Sequence, residues 1–104
     1  CVFCNVYADK LSPVGSYEAG KSPLGLYDMA GNVREWVADW YDQDYYRLSP
    51  ARNPKGPDVG TIKVVRGGSW FQVPQELRAA DRYWVVPHLR ESKVGFRCAQ
   101  DVPQ

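Results

Sequence analysis

The sequence predicts a loop-rich α+β domain built on short antiparallel strands, and three observations predict it. Val33 to Trp40 alternates with period two, Thr61–Val65 and Val94–Cys98 have strand character, and glycine- and proline-rich connections separate them. No regular succession of strand and long helix occurs, which argues against a parallel Rossmann-type sheet. The chain has 104 residues, room for one domain at most. A chain of this size buries roughly two-thirds of its unfolded surface, so a real core is possible. Four Trp and seven Tyr suit a fold that fills space with large rings.

Each element follows from local chemistry. Residues 10–25 are punctuated by Pro13, Gly15, Gly20, Pro23 and Gly25 and read as a loop with tight turns. In the next segment Trp36, Ala38 and Trp40 fall on one face and Glu35, Val37 and Asp39 on the other. A strand with both indoles buried is therefore expected. From Tyr41 to Gly60 three Pro and two Gly interrupt a polar stretch, an excursion rather than an element. After Thr61–Val65, Gly67 and Gly68 mark a bulge or a close backbone approach before Ser69 and Trp70. Leu77–Trp84 fits helix or strand equally, and Val94–Cys98 closes the chain as a last strand. These are few elements for a closed core. Because Cys1 is not a natural start, the domain is expected to be incomplete on its N-terminal side.

Charge and cysteine usage narrow the function. Net charge is +1 with both signs intermixed, which gives no electrostatic reason to expect a nucleic acid or an anionic membrane as partner. No apolar run is long enough to span a membrane. The cysteines Cys1, Cys4 and Cys98 are odd in number and do not form a closed disulfide framework. Cys1 and Cys4 lack the second Cys/His pair that a four-ligand zinc site needs. A disulfide from Cys98 to either of them is an alternative to free thiols.

Three segments in order carry a family resemblance. Gly25-Leu26-Tyr27-Asp28-Met29-Ala30-Gly31-Asn32-Val33-Arg34-Glu35-Trp36 resembles G-L-x-[DN]-M-x-G-N-[VA]-W-E-W, and Arg66-Gly67-Gly68-Ser69-Trp70 resembles R-G-G-S-[WY]. Leu77-Arg78-Ala79-Ala80-Asp81-Arg82 with Val94-Gly95-Phe96-Arg97 is similar to L-R-x-A-x-R followed by x-G-F-R. Together they resemble the C-terminal part of the formylglycine-generating enzyme, or sulfatase-modifying factor, family across residues 13–99, nearly the whole of the 1–104 chain. The resemblance implies a C-type-lectin-like α+β fold of a kind common in bacterial proteins, with the N-terminal half of the domain upstream. It also implies a structural Ca²⁺ on Asp28 and Glu35 and on the carbonyls of Gly31 and Val33. Two carboxylates supply the hard oxygens that Ca²⁺ takes six to eight at a time. The competing reading has Asp28 capping a turn and Glu35 pairing with an Arg. Asn5 and Val6 resemble part of a second calcium site.

The same resemblance argues against catalysis by this chain. Formylglycine-generating enzymes hold Cu(I) on two cysteines a few residues beyond R-G-G-S-[WY], and paired thiolates are what that soft ion selects. Here the stretch is Phe71-Gln72-Val73-Pro74-Gln75-Glu76-Leu77, with no cysteine. Arg34 also replaces the Trp of G-N-x-W-E-W. Related iron enzymes use three histidines from another domain, and this chain has one, His88. No copper or iron site is expected. The implied role is a calcium-stabilised binding or accessory module with a protein or small-molecule ligand on the surface between Trp70 and Val94. Its residues are Ser69, Phe71, Gln72, Tyr83, Trp84, His88 and Arg90. The alternative is a piece of an active oxygen-dependent sulfur-oxidising enzyme whose catalytic residues lie upstream.

Overall fold

The structure, a computed structural model, describes residues 1–78 and 80–103. Its strands are β1 (Arg34–Trp40), β2 (Lys63–Arg66), β3 (Tyr83–Val85) and β4 (Val94–Gly95), arranged as one sheet in the order β3-β2-β1-β4. The alternation read between Val33 and Trp40 is β1 itself. It pairs antiparallel with β2, placing Glu35 opposite Arg66 and Trp36 opposite Val65, with a register irregularity before Trp40 meets Lys63. The pairing of β2 with β3 is also antiparallel, Val64 facing Trp84. The sheet is nonetheless mixed rather than wholly antiparallel, because β4 runs parallel to β1, with Arg34 beside Val94. From β3 on one edge, the chain crosses to the other edge through residues 86–93. It arrives in the direction of β1, and a parallel pair needs a connection that crosses the sheet in this way.

The core lies on the inner strand β2. Val64 and Val65 point to opposite faces and are both fully buried, and Val85 joins them. The expected burial of the two indoles is corrected: Trp36 and Trp40 are half-buried, and Ala38 on the same face is exposed. The reason is that Trp36 lies against an open cavity of about 570 Å³, while Trp40 is covered by Lys63, whose Nζ is 4.0 Å from the ring centre. The excursion after β1 contains a one-turn helix, α1 (Tyr45–Leu48), where none was expected. Leu77–Trp84 is neither one helix nor one strand: a 3-10 turn (Pro74–Leu77) enters it and β3 leaves it. In that stretch Ala79 lies outside the described residues.

Two positions show why this fold needs its glycines. Gly68 has φ of +69°, and a Cβ there would run into the Leu77 side chain. Gly31 has φ of +79°, and a Cβ would lie 2.5 Å from the Asn5 carbonyl oxygen. That close approach brings the first strand entry against the N-terminal segment. Asn32, only 5% exposed and also at positive φ, locks the two together. Its Oδ1 accepts from Asn5 Nδ2 at 3.1 Å and from the Ser12 amide at 3.0 Å, and its Nδ2 donates to Ser12 O at 3.2 Å. Its backbone N–H donates to Asn5 O, and its carbonyl accepts from the Trp70 amide, both at 2.8 Å. The Asn of the G-N pair is thus the knot that holds three segments at the head of β1.

Candidate functional site

Beyond the Gly67–Gly68 turn the chain builds one wall of a cavity of about 490 Å³, a size that suits a small ligand. Gly67 at φ +93° and Gly68 turn the backbone so that Ser69 is fully buried, and the following turn brings Gln72 to 8% exposure. Both line the cavity, and neither Ser69 Oγ nor Gln72 Oε1 has a hydrogen-bond partner among the described residues. An oxygen buried without a partner costs about 1–3 kcal/mol, so a partner for either would be stabilising. Trp70 fixes this wall to the opposite loop by donating from Nε1 to Ser92 O at 3.3 Å.

The second wall comes from β3. Tyr83 and Trp84 are about half exposed and stack, with centroids 6.1 Å apart and planes 7° from parallel. Two cations rest on the rings of this cavity. The Arg34 guanidinium sits 3.8 Å from the centre of Tyr83, and Lys93 Nζ sits 4.1 Å from the centre of Phe71. They are neighbours because the Arg34 amide donates to Lys93 O at 2.8 Å where β4 begins. Glu76 and Glu91 complete the charged lining and are exposed. Of the residues expected to bind, Ser69, Phe71, Gln72, Tyr83 and Trp84 come together here. His88 and Arg90 are exposed in the loop before β4, and neither lines the cavity. Sequence reading missed Arg34 and Lys93 as part of this surface. For Arg34 the signal was present as a departure from the Trp of the motif.

Asp28, Val33 and Glu35 meet at a second, smaller cavity of about 260 Å³. Gly31 does not line it, since its Cα faces Asn5. Arg97 grips Glu35 with both Nε and Nη2 at 2.6 Å and donates from Nη2 to the Asp28 carbonyl at 3.1 Å. The hydrogen-bonded Glu35 carboxylate holds the guanidinium pKa above its ordinary value. Asp28, at φ +55°, accepts the Gly15 amide on Oδ2 at 2.9 Å. The donor chemistry suits a hard cation, but an ion here would have to take Glu35 from Arg97. Asn5 is buried with its amide given to Lys10 O and Asn32 Oδ1. The 71–77 stretch offers rings, amides and a carboxylate, which does not fit a Cu(I) site. All three cysteines are free, with Cys1 Sγ and Cys4 Sγ 3.1 Å apart and Cys98 exposed.

Sheet and cavity define a small mixed-sheet α+β domain that carries its ligand-sized pocket between the R-G-G-S-W turn and the last strand. Comparison with known proteins names the class. Residues 4–102 match the sulfatase-modifying factor enzyme 1-like domain, and the chain belongs to that family. It is 45% identical to the serine/threonine-protein kinase pkn1 of Chlamydia caviae over 94% of this chain and 16% of that protein. With the formylglycine-generating enzyme of Streptomyces coelicolor it shares 40% identity over 94% of this chain and 36% of the enzyme. The solved structure of PvdO from Pseudomonas aeruginosa superposes with a TM-score of 0.79 at 31% identity, covering 92% of this chain and 38% of that one. The chain therefore spans about a sixth to a little over a third of the length of these relatives.

Proposed function

We propose that this chain is a binding or accessory module rather than a self-sufficient enzyme, and that it takes its ligand in the cavity walled by Ser69, Gln72, Tyr83 and Trp84. One observation carries the reading: Ser69 and Gln72, whose buried side-chain oxygens have no partner among the described residues, line the same cavity as a pair of stacked, half-exposed rings. Aromatic anchors beside unsatisfied polar groups are what a recognition surface offers. Two features support the non-catalytic part. The stretch after Ser69 lacks the paired thiolates that Cu(I) chemistry requires, and Arg34 stands where the motif has Trp. The match to a protein named as a kinase, of which this region is 16%, supports an accessory role within a longer protein. The alternative is favoured by the same short coverage: catalytic residues supplied from outside this stretch would make it part of an oxygen-dependent sulfur-oxidising enzyme.

The reading includes calcium as a stabilising ion, held by the carboxylates of Asp28 and Glu35 with the carbonyls of Gly31 and Val33. Asp28, Val33 and Glu35 lining one cavity supports it. Its gain is reduced by the bidentate Arg97 bond it displaces. The catalytic question is decided by mass spectrometry of a sulfatase-motif peptide incubated with the chain, copper and reductant. No formylglycine above the no-protein control is expected, and its appearance overturns the non-catalytic reading.

A further inference from the structure

The charges around the cavity are arranged by depth. Arg34 and Lys93 are half-buried, and among the described residues neither enters an ion pair; each is held by the face of a ring. Cation–π contact uses the flat face of a guanidinium and leaves its in-plane N–H donors free. For Arg34 this leaves in-plane donors unspent, and the Lys93 ammonium, which has no such plane, keeps the donors that point away from the ring. Glu76 and Glu91 line the same cavity but are exposed, and they too stand outside every ion pair among the described residues. Deeper positive charge therefore meets outer negative charge.

We propose that the cavity selects a small aromatic monocarboxylate that also carries one N–H or O–H donor, its acid group on Arg34 and Lys93 and its ring against Tyr83 and Trp84. This rests on the reading that the cavity is a binding site and names what it binds. Each part of the ligand answers an unsatisfied feature. A carboxylate matches the planar fork of Arg34 and the point charge of Lys93. The hydroxyl of Ser69 donates to the carboxylate, and Gln72 Oε1, an acceptor without a partner among the described residues, takes the ligand's N–H or O–H. Tyr83 and Trp84, both about half exposed, line the cavity and offer apolar ring surface. Glu76 and Glu91 supply the discrimination: a phosphate-type dianion in the same place meets two like charges, a repulsive element that a single carboxylate meets less strongly. Arg34 is central, because it is the position at which this chain departs from the motif. The departure exchanges an apolar ring for a cation on the cavity wall.

The test titrates the full chain with indole-3-acetate, with its neutral analogue tryptophol, and with phenyl phosphate, reading affinity by calorimetry and location by amide NMR shifts. Indole-3-acetate binds about tenfold or more tighter than tryptophol, the gain of one charge-assisted contact, and phenyl phosphate binds more weakly than indole-3-acetate. Arg34→Leu removes the preference for the acid over tryptophol. Arg34→Lys recovers part of it, and Lys93→Met gives the same direction of loss if the first variant fails to fold. Equal binding of the acid and the alcohol, with shifts at Gln72 and Trp84, overturns the carboxylate inference and leaves the binding site standing. Phenyl phosphate binding as tightly as the acid also overturns it. If none of the three probes shifts these residues, the inference and the binding site fall together.

Discussion

Replacing Asn32 with alanine should cost more stability than almost any other single change in this chain. The side chain makes three hydrogen bonds, to Asn5 Nδ2, the Ser12 amide and the Ser12 carbonyl, and it is 5% exposed. A net loss of about 1 kcal/mol per bond, with buried partners left short, gives about 3 kcal/mol. Alanine at the φ of +62° that Asn32 adopts adds about 1–2 kcal/mol, since only glycine and, to a lesser degree, asparagine and aspartate tolerate that region. The sum is about 4–5 kcal/mol, at the upper end of point-mutant effects. For a domain of this size that lowers Tm by about 15 °C or more. Asn32→Gly keeps the backbone conformation without strain and should recover about 1 kcal/mol of the loss. Asn32→Asp retains the two bonds accepted by Oδ1. Circular-dichroism melts and urea titrations of the three variants measure the series. An alanine variant within about 1 kcal/mol of the parent would refute the knot at the head of β1, given the buried bonds that it must break.

Two further outcomes follow from the smaller sites. Calcium in hundredfold excess over its Kd should raise stability by up to about 2.7 kcal/mol, less the loss of the Glu35–Arg97 bond, and the Asp28→Ala/Glu35→Ala double variant should lose the response. Coincident melts with calcium and with chelator would leave Glu35 as the partner of Arg97 alone. Burial pushes the Cys4 thiol above its usual pKa, so Cys4 contributes stability that is full below the unfolded-state value and is lost as pH rises through the folded one. Iodoacetamide at mildly alkaline pH should therefore label exposed Cys1 and Cys98 before Cys4, read by peptide mass spectrometry. Cys4 labelled first would contradict its burial.

Backbone geometry was more legible than burial. Period two at Val33–Trp40 located β1, and the Gly67–Gly68 pair located a turn that only residues without a Cβ can make. Alternation tells which residues share a face but not what covers that face, so the half-buried state of Trp36 and Trp40 was not readable. A helix as short as Tyr45–Leu48 spans one turn and generates no periodicity to detect. The direction of β4 was hidden for a similar reason: two residues carry no pattern, and parallel pairing depends on how residues 86–93 cross the sheet. At the cavity, Ser69, Phe71, Gln72, Tyr83 and Trp84 were reached because they flank the R-G-G-S-W turn and β3. His88 and Arg90 were not separable from Leu89 between them, since nothing in a loop sequence says which side chain turns inward. Arg34 showed itself as a lost Trp and only the fold reveals it as a cation on the cavity wall.

The cavity beside Ser69 and Gln72, proposed as the site of recognition, has a rival on the same molecule. The cavity at Trp36 and Met29, about 570 Å³, is larger and more apolar. A screen of small ring-containing fragments against the ¹⁵N-labelled chain, read by backbone, Gln72 side-chain amide and indole N–H resonances, separates the two. Recognition beside Ser69 shifts the Gln72 amide and the Trp84 indole and leaves Trp36 unmoved. Fragments that shift Trp36 and leave Gln72 and Trp84 in place would contradict it.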